Sequence, residues 1–460
     1  GLGVFGGFGG SPAGPRGSFR RRTGASALPA SDGFDRSSRL TASPPAAASP
    51  GCVPVLEPGA SAAILCASCS LTTPNCLVPT LVWVVLTGAA ALYVVAALCA
   101  AVGWWRIRQA EIPAVPDPWP TVSVIIPARD EADRIEDCIE GILDCPYPRD
   151  RLEIVVVDDF STDATAQRVR AARPDSSPPD DPTVRLLQLQ HTQSANGGHK
   201  PAAVARGVDA ASGTVLLTTD ADCTVGPDWI RSMVRRCTPE TPFVAGAVRY
   251  RFSHRYFERL QALAFAGLVA FGAGTLGLGL PTYCNSANLA FRRDVVDLLP
   301  AEADDRPGAA RDELLLQHVA YGTDRDVAFN ADPDAAVTTE PASDLDAYVH
   351  QQARWASMGA RYPFLLPRLL VVGMWALHPL LLAAGLAAVA LPAWRQPTLG
   401  LLLAKMAGDL VLTVPFLKHF DQNELTRSTV ATELMLLLVV PVAGLLGSFG
   451  TVEWKGRTLD

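Results

Sequence analysis

The stretch Thr121-Val-Ser-Val-Ile-Ile-Pro127 decides the fold, because Val122, Val124, Ile125 and Ile126 are β-branched and apolar and suit a strand buried on both faces. Two further runs repeat the pattern, Glu153-Ile-Val-Val-Val-Asp158 and Thr214-Val-Leu-Leu-Thr-Thr219. Helical periodicity lies between them, over Glu131 to Leu143 and Pro201 to Ala210. Strands alternating with helices predict βαβ units and an α/β domain with a mostly parallel sheet. Such sheets bind ligands beyond the carboxyl ends of their strands. Acidic residues stand at those ends: Asp158 and Asp159 after the second strand, Asp220 and Asp222 after the third.

Outside this core the chain changes character. It has 460 residues, of which 49% are hydrophobic and only 18% charged, too apolar for a disordered chain. A net charge of −7 disfavours a nucleic-acid binder. Residues 1–76 are rich in Gly, Ala, Ser and Pro and are expected to stay disordered. No apolar run follows Arg20, Arg21 and Arg22, so an ordinary signal peptide is not expected there. The ten cysteines are scattered; Cys66 and Cys69 have CxxC spacing, but no second pair completes a zinc site.

Leu77 to Trp105 carries no charge and exceeds the roughly 20 residues that cross a bilayer. Trp104 and Trp105, then Arg106 and Arg108, mark its end as the cytoplasmic interface. Three more runs of spanning length follow, Leu369–Leu391, Thr398–Leu417 and Thr429–Phe449. Arg354, Arg361 and Arg368 before the first, and Lys418 and Arg427 between the second and third, fit the same side. Lys455 and Arg457 oppose that topology weakly. Ala262–Pro281 is also long and uncharged, yet its five glycines weaken a helix, and it reads as an interfacial or core segment. Lys405 and Asp409, four residues apart inside an apolar run, can pair on one helix face. The expected organisation is a disordered segment (1–76), a transmembrane helix (77–105), a catalytic domain (116–360), three transmembrane helices (364–450) and a tail (451–460).

Asp near a strand end commonly makes turns and caps helices. An Asp-x-Asp at such an end, Asp220-Ala-Asp222, can also hold a divalent cation, since hard cations take carboxylate oxygens. Read with the other motifs, residues 120–360 resemble the inverting family 2 glycosyltransferases of GT-A, Rossmann-like fold. The matches run in family order: Val-Ser-Val-Ile-Ile-Pro-Ala-Arg-Asp-Glu131, Val-Asp-Asp-Phe-Ser-Thr-Asp163, Lys200, Asp220-Ala-Asp222, Asn285-Ser-Ala-Asn-Leu-Ala-Phe-Arg292, Asp312-Glu-Leu-Leu315 and Gln351-Gln-Ala-Arg-Trp355. The last resembles the Gln-x-x-Arg-Trp motif of membrane cellulose, chitin and hyaluronan synthases.

The resemblance implies a role for each matching position. Pro127, Arg129 and Glu131 would line the nucleotide pocket, Asp158 would hydrogen-bond the base, and Lys200 would meet the phosphates. Asp220 would contact ribose or sugar, and Asp222 would bind Mg2+ or Mn2+. Asp312 would be the catalytic base. Many relatives have Glu-Asp there, whereas this chain has Arg311-Asp312-Glu313, so the register between Asp312 and Glu313 stays open. Gln351, Arg354 and Trp355 share a helical face, where they would meet the acceptor and the diphosphate; a plain interfacial anchor is the alternative. The implied partners are a UDP- or GDP-sugar, a polysaccharide or lipid-linked acceptor, and the membrane, with no nucleic acid. The expected location is a bacterial inner membrane with the catalytic domain in the cytoplasm. The rival reading is a catalytically silent nucleotide-sugar-binding subunit of a membrane complex.

Overall fold

The computed structural model describes residues 74–172, 182–189, 200–299, 311–359, 362–449, 452–454 and 457–459. The expected disorder of residues 1–76 therefore falls almost wholly outside the described residues, as do Cys66 and Cys69. Cys99, Cys138, Cys145, Cys223, Cys237 and Cys284 are free.

The α/β class and the mostly parallel sheet are as the sequence predicts. Strands β1 (Val122–Ala128), β2 (Leu152–Asp158), β3 (Thr183–Gln188) and β4 (Val215–Thr218) pair in parallel in the order β3-β2-β1-β4. The sheet continues with β7 (Leu289–Arg292), β5 (Phe243–Gly246) and β8 (Val327–Asn330). β7 runs antiparallel to both neighbours. Central β1 keeps Val124, Ile125 and Ile126 fully buried. Each such side chain contributes about 1.5–3 kcal/mol of transfer energy. Helices α2 (Ile135–Leu143), α3 (Thr165–Ala172), α4 (Lys200–Ala210) and α5 (Trp229–Arg236) cover the sheet. A side ladder pairs β6 (Val248–Tyr250) with β9 (Val337–Thr339).

The antiparallel reversal of β7 positions the site. Its register sets Thr218 opposite Leu289, so the start of β7 lies beside the carboxyl end of β4. The segment before β7 is thereby brought next to Asp220. Within it, Asn288 is a structural tie. Its side chain donates to the carbonyls of Ala247 (2.9 Å) and Ala335 (3.0 Å) and accepts from the Trp229 indole (2.9 Å). A Cβ at Gly246 would lie 2.4 Å from the Asn288 amide, so that crossing requires glycine.

The loops after β1 and β2 are also bound together. Asp130, at φ 51°, accepts from the Thr162 N–H at 2.7 Å, and the Ser161 hydroxyl accepts from the Asp130 N–H at 2.9 Å. Asp163 accepts from Ala132 N–H at 3.0 Å, and Thr165 Oγ1 from Glu131 N–H at 2.8 Å. These bonds hold Glu131 in the loop, so α2 starts at Ile135 rather than at Glu131.

Among the described residues, five helices are long and apolar enough to cross a membrane. They are α1 (Pro74–Gln109), α6 (Tyr256–Gly277), α9 (Leu365–Ala390), α10 (Pro392–His419) and α11 (Thr429–Phe449), the last candidate span being extended back to Asn423. The most apolar window of α6 is 72% buried, against 22–39% for the other four. α6 crosses α1 over small residues: a Cβ on Gly274 would lie 2.3 Å from the Ala100 carbonyl oxygen. Leu81, Leu92, Leu386, Leu403 and Leu434 on the remaining helices point outward, exposed. Lys405 does pair with Asp409, at 2.9 Å. Glu433 of α11 joins Lys405 from the other side, and the Tyr93 hydroxyl of α1 donates to Asp409 at 2.7 Å.

Candidate active site

A cavity of about 640 Å3 opens at the carboxyl ends of β1 and β4, where the topology predicts a site. Pro127, Arg129 and Glu131 enter it from the end of β1, and Asp220 and Asp222 from the end of β4. Lys200 enters from the first residue of α4. Asp312 and Glu313 reach it from the first turn of α7 (Arg311–Gly322). Gln351, Arg354 and Trp355 reach it from one face of α8 (Leu345–Gly359). Of the residues singled out in sequence, only Asp158 is missing from the wall. Its carboxylate accepts from Ser161 N–H (3.0 Å) and from the Gln188 amide (3.2 Å), and it is 3% exposed. Its neighbour Asp159 lines the cavity instead.

Lys200 is the electrostatic centre. Its ammonium lies 2.6 Å from one Asp220 oxygen and donates to the other at 2.7 Å, and to the Ser286 hydroxyl at 2.8 Å. Thr218 fixes that serine by donating to its carbonyl at 2.6 Å. Burial opposes the charge of Lys200 and Arg354 adds repulsion, but Asp220 and Asp312 outweigh both and raise its pKa. Asp312 shifts upward as well. Burial is the main cause, and Lys200 pulls the other way. A carboxylate held above its ordinary range is a better proton acceptor.

Asp220, Asp222 and Cys223 offer atoms within 4.8 Å of one another. Burial pushes the Cys223 thiol well up, and its Sγ donates to an Asp222 oxygen at 3.5 Å. The usable donors are two carboxylates, the set a hard divalent cation takes, with room in the cavity for phosphate oxygens and water. The residues present fit such a cation.

Three stacked aromatic rings line part of the cavity. Tyr250 stacks on Phe265 of α6 with centroids 4.2 Å apart, and Phe265 on Trp355 at 5.8 Å. The Tyr250 hydroxyl donates to Gln351 at 3.1 Å. Tyr250, Phe265 and Tyr283 are site residues that sequence reading missed. Phe265 sat inside the apolar segment of α6, and no local pattern marks the others.

Residues 123–299 match the sequence family described as Glycosyl transferase family 2. The chain is 36% identical over 124 residues to the succinoglycan biosynthesis protein ExoO of Rhizobium meliloti, covering 27% of this chain and 31% of that one. It is 33% identical over 260 residues to YdaM of Bacillus subtilis, named a probable glycosyltransferase, covering 55% and 56%. Among solved structures, a mannosyltransferase of Pyrobaculum calidifontis in complex with GDP-Man and Mn2+ has 21% identity and a TM-score of 0.48, covering 76% of this chain and 99% of that one. The matches span 31–64% of the lengths of the curated relatives.

Proposed function

Because residues 123–299 match the glycosyl transferase family 2 and fold on a mostly parallel α/β sheet, we propose that the chain transfers a sugar from a nucleoside-diphosphate sugar to an acceptor hydroxyl with inversion. The observation that carries this reading is the meeting of Lys200, paired with Asp220, with Asp312 and Arg354 in one cavity at the strand ends. Pro127, Arg129 and Glu131 line the nucleotide side, with Asp159 in place of Asp158. Asp312 takes the proton from the acceptor hydroxyl as its oxygen forms a bond to the anomeric carbon. The bond from that carbon to the diphosphate breaks on the opposite face, and the electron pair leaves with the nucleoside diphosphate. Lys200 and Arg354 face the charge that develops there. Mg2+ or Mn2+, held by Asp222 with Asp220 beside it, would supply neutralisation of the diphosphate. Trp355, stacked on Phe265, offers a flat apolar plate for a sugar ring.

The acceptor in this reading is a polysaccharide or a lipid-linked hydroxyl at the cytoplasmic face of a bacterial inner membrane. Its support is the outward apolar faces of α1, α9, α10 and α11 and the arginines at the end of α1. The test incubates detergent-solubilised protein with a panel of UDP- and GDP-sugars, Mg2+ or Mn2+ and candidate acceptors, and measures nucleoside-diphosphate release. Release from one donor, lost in Asp222→Ala and Asp312→Asn, is the expected result. Undiminished release in Asp312→Asn would refute the assignment of the base.

A further inference from the structure

Side-chain environment separates the two acidic residues whose register the sequence leaves open. Asp312 shares its surroundings with Lys200 and Asp220. Glu313, at the edge of the same cavity, is 4% exposed and accepts a hydrogen bond at 2.6 Å from the Tyr362 hydroxyl, itself 5% exposed. The titratable groups around it are Asp312 on its own helix, Tyr283 and Cys284 on the segment before β7, and Tyr362 just before α9. No described Lys, Arg or His pairs with it.

We propose that Glu313 is a positioning residue for the transfer reaction: bonded to Tyr362, its carboxyl anchors the first turn of α7 to the segment entering α9 and so holds Asp312 toward the reacting centre. This rests on the reading of Asp312 as the base. Glu313 does its work un-ionised. A buried carboxylate without a countercharge is costly, and burial together with the neighbouring Asp312 pushes its pKa well above the carboxylate range. Being neutral, it also spares Asp312 a second negative charge one residue away. An amide has the shape of a carboxylic acid, and its oxygen accepts from Tyr362 equally well. Glutamine therefore replaces Glu313, whereas it could not replace a base.

The experiment uses the full chain in detergent as wild type, E313Q, E313A, Y362F, E313A/Y362F and D312N. It reads kcat, donor KM, melting temperature and the infrared difference between wild type and E313Q at neutral pH. E313Q is expected to keep kcat within about threefold, while E313A and Y362F lose about tenfold, the effect of one buried hydrogen bond. Donor KM stays put, and the double variant is no worse than the worse single one, because both remove the same bond. The carbonyl band of an un-ionised carboxylic acid is present in wild type and absent in E313Q. An E313Q enzyme as inactive as D312N overturns the proposal. So do wild-type rates in both E313A and Y362F, or an infrared difference without the acid band. A wild type that turns over no donor counts against the proposed function instead, and the infrared band still decides the state of Glu313.

Discussion

Replacing Lys200 by methionine keeps the length and apolar stem of the side chain and removes its charge. Two consequences follow from the contacts of that ammonium. First, Asp220 and Ser286 lose a charge-assisted donor at 2.6–2.8 Å. Such bonds contribute about 1.5–3 kcal/mol, which corresponds to about a 10- to 100-fold loss in kcat/KM at 1.4 kcal/mol per decade. Second, Asp312 loses the positive neighbour that holds its pKa down against burial, while the Asp220 charge that pushes it up remains. Its pKa therefore rises further. The base must be ionised to accept a proton, so activity is lost as pH falls through its pKa. The acidic limb of kcat/KM should thus move toward higher pH in Lys200→Met, and partly return in Lys200→Arg. The assay is nucleoside-diphosphate release across the pH range at subsaturating donor. A limb that stays where wild type has it, beneath a uniformly lowered rate, would refute the electrostatic link between Lys200 and Asp312 and leave Lys200 as a phosphate contact alone.

At the opposite end of the sheet, Glu153 accepts from the hydroxyls of Ser123 (2.5 Å) and Ser212 (2.8 Å). Burial raises its pKa, but these bonds, the Ser212 N–H and Arg185 outweigh it, so the folded value lies below the unfolded one. Its stabilisation is then full above the unfolded pKa and lost as pH falls through the folded one. Glu153→Gln should cost about 1–3 kcal/mol at neutral pH and little in acid, measured as the melting-temperature difference at the two pH values. Gly274→Leu should separate α6 from α1, because even a Cβ there would meet the Ala100 carbonyl at 2.3 Å. Lowered melting temperature and faster proteolysis of α6 are expected, and an unchanged melting temperature would show that the crossing is not close.

The sheet's first half is legible in sequence because β1, β2 and β4 are buried on both faces and must read as continuous apolar runs. The second half is not. β5 to β9 are strands of three or four residues, too short for a period to show, and β7 was visible only as a motif. The charged residues that line the cavity were named in sequence from the acidic strand ends and from motifs matched in family order, and all of them but Asp158 reach the wall. What sequence could not supply was direction. Asp158 and Asp159 are adjacent, and only the loop bond from Ser161 and the bond from Gln188 determine which one turns away from the cavity. Likewise Tyr362 lies 49 residues from Glu313, and their contact exists only once α7 and the start of α9 are packed. Glu433 was hidden inside an apolar run whose average hydropathy masks a single acid.

The close crossings of the apolar helices bear on the cavity itself. α8, which carries Gln351, Arg354 and Trp355, is seated on α11 at Gly447, where a Cβ would lie 2.4 Å from the Ala353 carbonyl. Phe265, the ring behind Trp355, belongs to α6, which is seated on α1. One wall of the cavity is therefore mechanically part of the helix bundle, while the wall made by Arg129, Glu131 and Asp220 hangs from the sheet. A shift of the bundle against the sheet would change the spacing between these walls. Under the proposed function, the bilayer's thickness and lateral pressure would then be inputs to the geometry in which donor and acceptor meet, and the choice of detergent or lipid a variable of the chemistry as much as of solubility.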